Sequence, residues 1–372
     1  MRLGLDVSAV PPQVAGAGRY VVEIARRLPA LGVETTLVTR RSDARRWTEW
    51  SPEAHVVPLV PNARVPRLIY EAWRMGASAS ARGVDVWHAP HYTMPHRATV
   101  PVVVTVHDLT FFTNPEWHER TKVQFFRRAI RYAAAHADVL ICVSDLTASL
   151  LDQVVPTHAP VVVAPHGVDL ERFSPVERDD DAVLARVGMA QVPYILFVGT
   201  VEPRKGLDVL LDAFRDIGSR DPAVQLCIAG QAGWGMHELS SRIEAHEFSS
   251  RIRRVGFVDD AALPALMRRA SVVAYPSRGE GFGLPVLEAL ACGASVVTSR
   301  DTVMQEVAGD AALFAGIGDS EELASVLSDA LTMAEFERVE RSKNARRRAE
   351  LFTWGASLEK HLGAYRLARG QE

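Results

Sequence analysis

The stretch Val272-Val273-Ala274-Tyr275-Pro276-Ser277-Arg278-Gly279-Glu280-Gly281-Phe282-Gly283-Leu284-Pro285-Val286-Leu287-Glu288-Ala289 passes from an apolar run, through a glycine-rich turn, into a helical pattern. A short β-branched run bounded by turn residues predicts a buried strand. Pro285 suits the first helical turn, where its missing N–H is not needed. Gly281 and Gly283 let the backbone approach a ligand closely. The amides of Phe282, Gly283 and Leu284 then have no partner inside the helix and point beyond the strand end. Glu280 stands just before the helix and Glu288 one turn inside it. Two carboxylates beside such amides suit a ligand with several hydroxyls, the chemistry of a sugar and a ribose. A glycine-rich turn with two solvated glutamates would account for Glu-Gly-x-Gly alone, but Pro285 and Glu288 at this spacing favour a site.

Outward from this unit, the same strand–loop–helix order repeats. Strands are predicted at 2–7, 34–38, 84–88, 100–106, 139–143 and 161–164, and again at 194–198, 225–229, 252–255, 272–275, 295–298 and 312–314. Helical runs lie between them, among them 20–31, 119–137, 146–154, 207–214, 236–247, 261–269 and 285–291. Such alternation predicts parallel sheets wrapped by helices. The chain has 372 residues, which at roughly 150 per domain suits two α/β domains. The break is placed between 175 and 176, beside Pro175 and the acidic run Asp179-Asp180-Asp181. That run follows no strand end and is expected to be a solvated linker or a helix start, not a metal site. The second domain then spans 176–351. Residues 352–372 are predicted as a final amphipathic helix with Trp354, Leu358, Leu362, Tyr365 and Leu367 as its apolar members.

Three further places carry chemistry. Val198-Gly199-Thr200-Val201-Glu202-Pro203-Arg204-Lys205-Gly206 follows the first strand of the second domain, and ligands of open α/β sheets gather at such strand ends. Arg204 and Lys205 there suit a diphosphate, one by its forked donors and one as a point charge. Lys205 is one of four lysines among 42 basic residues, so its placement carries weight. Ala15-Gly16-Ala17-Gly18-Arg19-Tyr20 lies between the first strand and the first helix and could offer amides to a phosphate. It fails as a dinucleotide fingerprint, because Val21 stands where the third glycine belongs. His107, in Val104-Thr105-Val106-His107-Asp108-Leu109, ends an apolar strand. There it can donate to a substrate hydroxyl, act as acid or base, or be a satisfied strand-end histidine. His88 and His91 resemble a metal pair but have no evident third ligand; structural or acceptor-contacting roles are expected.

Composition sets the bounds. Hydrophobic residues are 48% and charged residues 23%, ordinary for a globular chain, and a net charge of −3 gives no reason to expect nucleic acid. Met1 to Asp6 shows no leader-like apolar stretch, and the three cysteines are widely spaced in apolar segments. A cytoplasmic protein with buried free thiols is the expectation. Residues 1–175 carry 19 basic and 16 acidic side chains, whereas the rest is acidic. Residues 116–136 add a basic helix with Val123, Phe126, Ile130 and Ala133 facing inward and Phe125 off that stripe. Such a helix can sit on anionic lipid or can be an ordinary solvated face.

Together these motifs resemble the retaining glycosyltransferases of the GT-B fold, specifically glycosyltransferase family 4. Ser144, Pro165-His166-Gly167-Val168-Asp169, Gly256-Phe257-Val258 and the final helix around Trp354 extend the resemblance over essentially the whole chain. It implies two Rossmann-like, doubly wound parallel-sheet domains with the active site in the cleft between them. Residues 1–175 would bind the acceptor, 176–351 the nucleotide-sugar, and 352–372 would cross back to the first domain. Arg204 and Lys205 would hold the diphosphate, Glu288 the ribose, and Glu280 with the amides of Gly281, Phe282, Gly283 and Leu284 the donor sugar. Phe257 and Val258 would face the base, Gly16 and Gly18 would close over the diphosphate, and His107 would touch the donor sugar near the reaction centre. The chain departs from many relatives in having Ala15 before Gly16, and Thr200 where an arginine follows the strand glycine. Arg204 must then supply the second positive charge.

No strand-end Asp-x-Asp is present, so neither metal nor other cofactor is expected. The resemblance implies transfer of a hexose with retention, by same-face attack. The acceptor would be a glycan or a lipid-linked glycan in the synthesis of cell-surface polysaccharide or glycoconjugate, at the inner face of the cytoplasmic membrane. Mannose from GDP-mannose is the first expectation, with UDP-glucose or another nucleotide hexose as the alternative. A nucleotide-sugar 2-epimerase is the rival within the fold.

Overall fold

The computed structural model describes residues 1–14, 16–77, 82–176, 179–189, 192–231, 233, 236–259 and 261–371. It divides into two compact units, Met1–Gly167 with Trp354–Glu372, and Val168–Thr353. The first holds a seven-stranded sheet of β1 (Arg2–Asp6), β2 (Glu34–Arg40), β3 (His55–Val60), β4 (Val86–Ala89), β5 (Val102–Val106), β6 (Val139–Cys142) and β7 (Val161–Val163), in the order 3-2-1-4-5-6-7. The second holds a six-stranded sheet of β8 (Tyr194–Val198), β9 (Gln225–Ala229), β10 (Ile252–Gly256), β11 (Val272–Tyr275), β12 (Val296–Ser299) and β13 (Leu313–Ala315), in the order 10-9-8-11-12-13. Every pairing is parallel. The strand order reverses beside β1 and beside β8, which opens a crevice at the carboxyl strand ends in each unit.

The buried strands read as unbroken apolar runs because helices cover both sheet faces. Strand β3 escaped the sequence reading. Its His-Val-Val-Pro-Leu-Val buries only Val57 and Val60 and contains Pro58, which a sheet tolerates only where an N–H can be spared, as on this edge strand.

The break between units also differs from the expected 175/176. Val168 donates to the Phe352 carbonyl at 3.0 Å, and Arg346 donates to the carbonyls of Leu170 and Phe173. These bonds tie residues 168–173 to the second unit. The helix Trp354–Ala368 belongs to the first unit and buries Trp354, Leu358, Leu362 and Tyr365 among Leu3, Leu5, Ile24 and Ile141. Leu367, expected on the apolar face, is 45% exposed; Ala364 is buried instead.

The acidic run starts the helix Asp180–Arg186. Asp180 is not solvated: its carboxylate lies buried against the Arg268 guanidinium. In the helix Arg120–His136 the expected Val123, Ile130 and Ala133 are buried, while Phe126 is half-buried and stacks on Phe111. Cys142, Cys227 and Cys292 are free and buried, and burial pushes each thiol up to about 12. Among the described residues no helix is long and apolar enough to cross a membrane.

Candidate functional site

The second unit's site is built from the loops after β8 and β11, which are neighbouring strands. After β8 the chain makes a tight turn over Pro203–Lys205 and ends it at Gly206, with φ +71°. A Cβ on Gly206 would stand 2.0 Å from the Pro276 carbonyl oxygen, so only glycine lets the two loops meet. Arg278 N–H donates to the Arg204 carbonyl at 2.8 Å, and the Ser277 hydroxyl lies 3.1 Å from the same oxygen. The Arg278 guanidinium grips Asp208 with two bonds, at 2.8 and 2.6 Å. The loop that carries the cations is thereby fastened to the loop that carries Glu280.

Glu280 stands at the centre. One carboxylate oxygen accepts from Lys205 Nζ, from the Tyr275 hydroxyl at 3.1 Å and from Ser277 Oγ at 2.9 Å. The other accepts from Arg204 at 2.8 Å. Burial alone would raise the carboxyl, but Arg204 and Lys205 outweigh it and hold Glu280 down to about 2. Lys205 is drawn below the ordinary lysine value by burial and by Arg204, with Glu280 opposing. Burial raises the Tyr275 phenol, so it stays neutral, accepting from Lys205 at 2.7 Å and donating to Glu280. Both side chains are therefore fixed in place before any ligand arrives. Glu202 also pairs with Arg204, at 3.1 Å. Arg204 thus enters the site already half-committed.

The quoted glycine stretch behaves as its sequence suggests. Gly283 is left-handed, with φ +99°, and starts the helix Leu284–Ala291. A Cβ there would meet the Met304 side chain at 2.6 Å. Gly281, Phe282, Leu284 and Glu288 are buried. Phe282 lodges its ring 5.9 Å from Phe352, so its share in a site is through its backbone. Thr200 lies two residues past the end of β8, and Phe257 and Val258 follow β10. Parallel strands put all of these at one sheet end. Phe257 is 45% exposed there. The structure brings Arg204, Lys205 and Glu280 into contact, and adds Tyr275, Ser277 and Glu202, which the sequence reading did not single out. Tyr275 ends β11 and Ser277 stands two residues further on, and that spacing at a strand end was the available signal.

In the first unit, His107 follows β5. Its Nε2 lies 2.7 Å from the Pro90 carbonyl, which can only accept, so Nε2 carries the hydrogen. Burial lowers its affinity for a second proton by more than Pro90 and Asp108 raise it. The lone pair is then on Nδ1. Of the roles open to His107 in the sequence, donation to a substrate hydroxyl is the one this excludes, since its only hydrogen is used. Gly16 (φ +49°) precedes the helix Ala17–Arg27, and Arg19 and Tyr20 N–H turn back to its carbonyl at 3.0 and 3.4 Å. Those two amides are committed, which narrows what this loop can offer a phosphate. Gly18 is buried against Val10, Pro11 and Val14. His88 uses both ring nitrogens, on Thr105 and Tyr365, and has no lone pair left for a metal.

Two doubly wound parallel sheets, with a Lys–Glu–Arg cluster of buried Lys205 and half-buried Arg204 and Glu280 at one switch point, place the molecule in the GT-B class. The family model of group 1 glycosyl transferases matches residues 188–348, and that of glycosyltransferase family 4 matches 14–172. The O-antigen chain mannosyltransferase B of Escherichia coli is 31% identical, over 99% of this chain and 100% of its own. Sucrose-phosphate synthase from Thermosynechococcus elongatus superposes with a TM-score of 0.82 at 22% identity, over 98% of both chains. Anabaena Alr3699/HepE in complex with UDP-glucose does so at 0.79 and 20%, over 98% and 99%. The chain belongs to glycosyltransferase family 4.

Lys205→Ala is expected to weaken binding of the nucleoside diphosphate at least about tenfold, about 1.4 kcal/mol. Calorimetric titration measures it, and unchanged affinity would refute the assignment of Lys205 to the diphosphate.

Proposed function

We propose that the protein transfers mannose from GDP-mannose, with retention, to a glycan or lipid-linked acceptor of a surface polysaccharide. The observation that carries this reading is the fixed Arg204–Glu280–Lys205 cluster at the β8 and β11 strand ends. Negative charge develops on the departing diphosphate. Preorganised cations stabilise that charge without reorganising as it forms. Glu280, between them, would take hydroxyls of the donor sugar, Glu288 those of the ribose, and Phe257 and Val258 would face the base. Thr200 and the amides of Gly281 to Leu284 complete the second unit's share. Gly16, Gly18 and His107 are the first unit's share, with Nδ1 of His107 accepting from a hydroxyl of the transferred sugar. The bond from the sugar's anomeric carbon to phosphate breaks and a bond to the acceptor oxygen forms on the same face. The acceptor's proton passes to the phosphate.

The O-antigen relative supports mannose. UDP-glucose is the second reading, favoured by the ligand in the Anabaena structure. Incubating the protein with GDP-mannose, UDP-glucose and dTDP-glucose, and following donor consumption by NMR, tests both. Reversible formation of a 2-epimer without transfer or hydrolysis would identify an epimerase instead. Transfer is expected to survive EDTA, because Arg204 and Lys205 cover the diphosphate. Full loss, restored by Mn²⁺ or Mg²⁺, would show the opposite.

The acceptor side of this reading is an anionic membrane at the cytoplasmic face. Arg128 and Phe125 are exposed on the helix Arg120–His136. On the helix Arg64–Trp73, Val65, Ile69 and Trp73 are exposed at 66%, 57% and 57%, one above the other. Trp73 packs on His96, and His96 on Tyr132 of the basic helix, so the two faces are continuous. Basic residues near anionic lipid contribute about 1 kcal/mol each. The protein should sediment with anionic vesicles at low salt and less at high salt. No binding to either anionic or neutral vesicles would make the acceptor soluble.

A further inference from the structure

Five side chains of the first unit, Tyr20, His88, Thr105, His361 and Tyr365, are each 0% exposed and form one unbroken hydrogen-bonded chain. Tyr365 Oη lies 2.9 Å from His88 Nδ1, and His88 Nε2 lies 2.8 Å from Thr105 Oγ1. Thr105 Oγ1 lies 2.8 Å from Tyr20 Oη, and Tyr20 Oη lies 2.7 Å from His361 Nε2. His361 Nδ1 faces the Ser357 carbonyl at 2.7 Å.

The direction of every bond follows from its last member. A carbonyl only accepts, so His361 Nδ1 carries the hydrogen. Burial, with His107 adding to it against the pull of Ser357, holds His361 at about 4, so the ring is neutral near pH 7. His361 Nε2 is then bare and Tyr20 donates to it. The Tyr20 oxygen accepts from the Thr105 hydroxyl, and the Thr105 oxygen accepts from His88 Nε2–H. Burial keeps His88 neutral too, so its Nδ1 accepts from Tyr365. The chain leaves the terminal helix at Tyr365 and returns to it at His361, crossing β4, β5 and the first helix on the way.

Tyr20 is the member that meets the site. Its ring stands edge-on to His107, 5.1 Å between centroids at 86°, and 4.8 Å from His166. Its oxygen is held from both sides, so the side chain cannot swing away from His107 without breaking two buried bonds. We propose that His361 and Tyr365, on the terminal helix, are positioning residues for His107, acting through the directed chain Tyr365–His88–Thr105–Tyr20–His361. This rests on the reading of His107 as a group that touches the donor sugar. It also gives the helix Trp354–Ala368 a task beyond packing.

Two measurements test it. In ¹⁵N spectra of the full chain at neutral pH, the two histidines should show opposite tautomers, Nδ1–H at His361 and Nε2–H at His88. The same tautomer at both, or a charged ring, would overturn the directed chain. Tyr20→Phe should lower kcat about tenfold, and Tyr365→Phe somewhat less, with KM for the nucleotide-sugar within about twofold, since the first removes two buried hydrogen bonds and the second removes one. Thr105→Ser, which keeps the hydroxyl, should retain kcat where Thr105→Val loses it. In a His107→Asn background, Tyr20→Phe should add no further loss, because the two act as one unit. Additive losses, or unchanged kcat in the phenylalanine variants, would reduce the chain to a packing feature and overturn the proposal. If the wild-type protein consumes no nucleotide-sugar, the reading of function fails while the tautomer result still stands by itself.

Discussion

Glu280→Gln is expected to lower sugar transfer about 10²–10³-fold while leaving the nucleoside diphosphate bound. The carboxylate is the common partner of Arg204, Lys205, Tyr275 and Ser277. Held at about 2, it is ionised at any working pH. Glutamine keeps the shape but carries no charge, and its amide group would turn N–H donors toward groups that are donors themselves. The contacts proposed to hold the donor sugar's hydroxyls would then be lost. The cations, however, lose a competitor for phosphate. Affinity for the free diphosphate should therefore be unchanged or higher, and the diphosphate should raise the variant's Tm by more than it raises that of the wild type. Single-turnover kinetics and calorimetry separate the two effects. A variant that keeps kcat within about threefold, or that loses turnover and diphosphate affinity in parallel, would show that Glu280 merely braces the cations.

The site's legibility was uneven for physical reasons. The loops after β8 and β11 were readable because backbone constraints demand glycine and proline at fixed places: Gly206 against Pro276, Gly283 against Met304. Glycine at φ > 0 leaves a mark that no surface residue imitates. The parallel sheets were readable because strands buried on both faces are mostly apolar, with only isolated polar members such as His88 and Thr105. Edge strand β3 is not, and its proline masked it. Interactions between distant side chains left no local trace. The Glu280–Lys205 contact spans 75 residues and Tyr365–His88 spans 277. His88 and His91 invited a metal reading because adjacency in sequence says nothing of what each ring nitrogen faces. The tail's Leu367 was assigned to the core by periodicity, yet helix ends present less to a core than their middles. Likewise, three successive aspartates suggest solvent, although a helix start turns each one a different way.

That last case carries the largest stability effect expected here. Asp180 accepts two bonds from Arg268, at 2.6 and 2.8 Å, and the side chains are 1% and 6% exposed. Arg268 also donates to the Ser174 carbonyl at 3.1 Å. Removing one partner of a buried pair strands the other's charge in a low dielectric, which costs about 3–5 kcal/mol. Asp180→Ala should therefore lower Tm by roughly 10 °C, at 2–4 °C per kcal/mol for a unit of this size. Asp181→Ala is the control. Its carboxylate pairs with Arg269 at 3.1 Å but is 67% exposed, and surface pairs contribute about 0–1 kcal/mol. Replacing both Asp180 and Arg268 with apolar residues should recover much of the loss, because the desolvation penalty disappears with the pair. The effect should also reach the site. Val183, on the helix that Asp180 starts, packs with Ala262 and Ala265, and Val258 rests against that cluster. A loosened helix 180–186 would slacken the loop proposed to face the base. Discrimination between guanosine and uridine diphosphates should then narrow in Asp180→Ala at temperatures below its unfolding. A thermal melt within about 2 °C of wild type would sink the prediction, because 3 kcal/mol cannot be hidden in so small a shift.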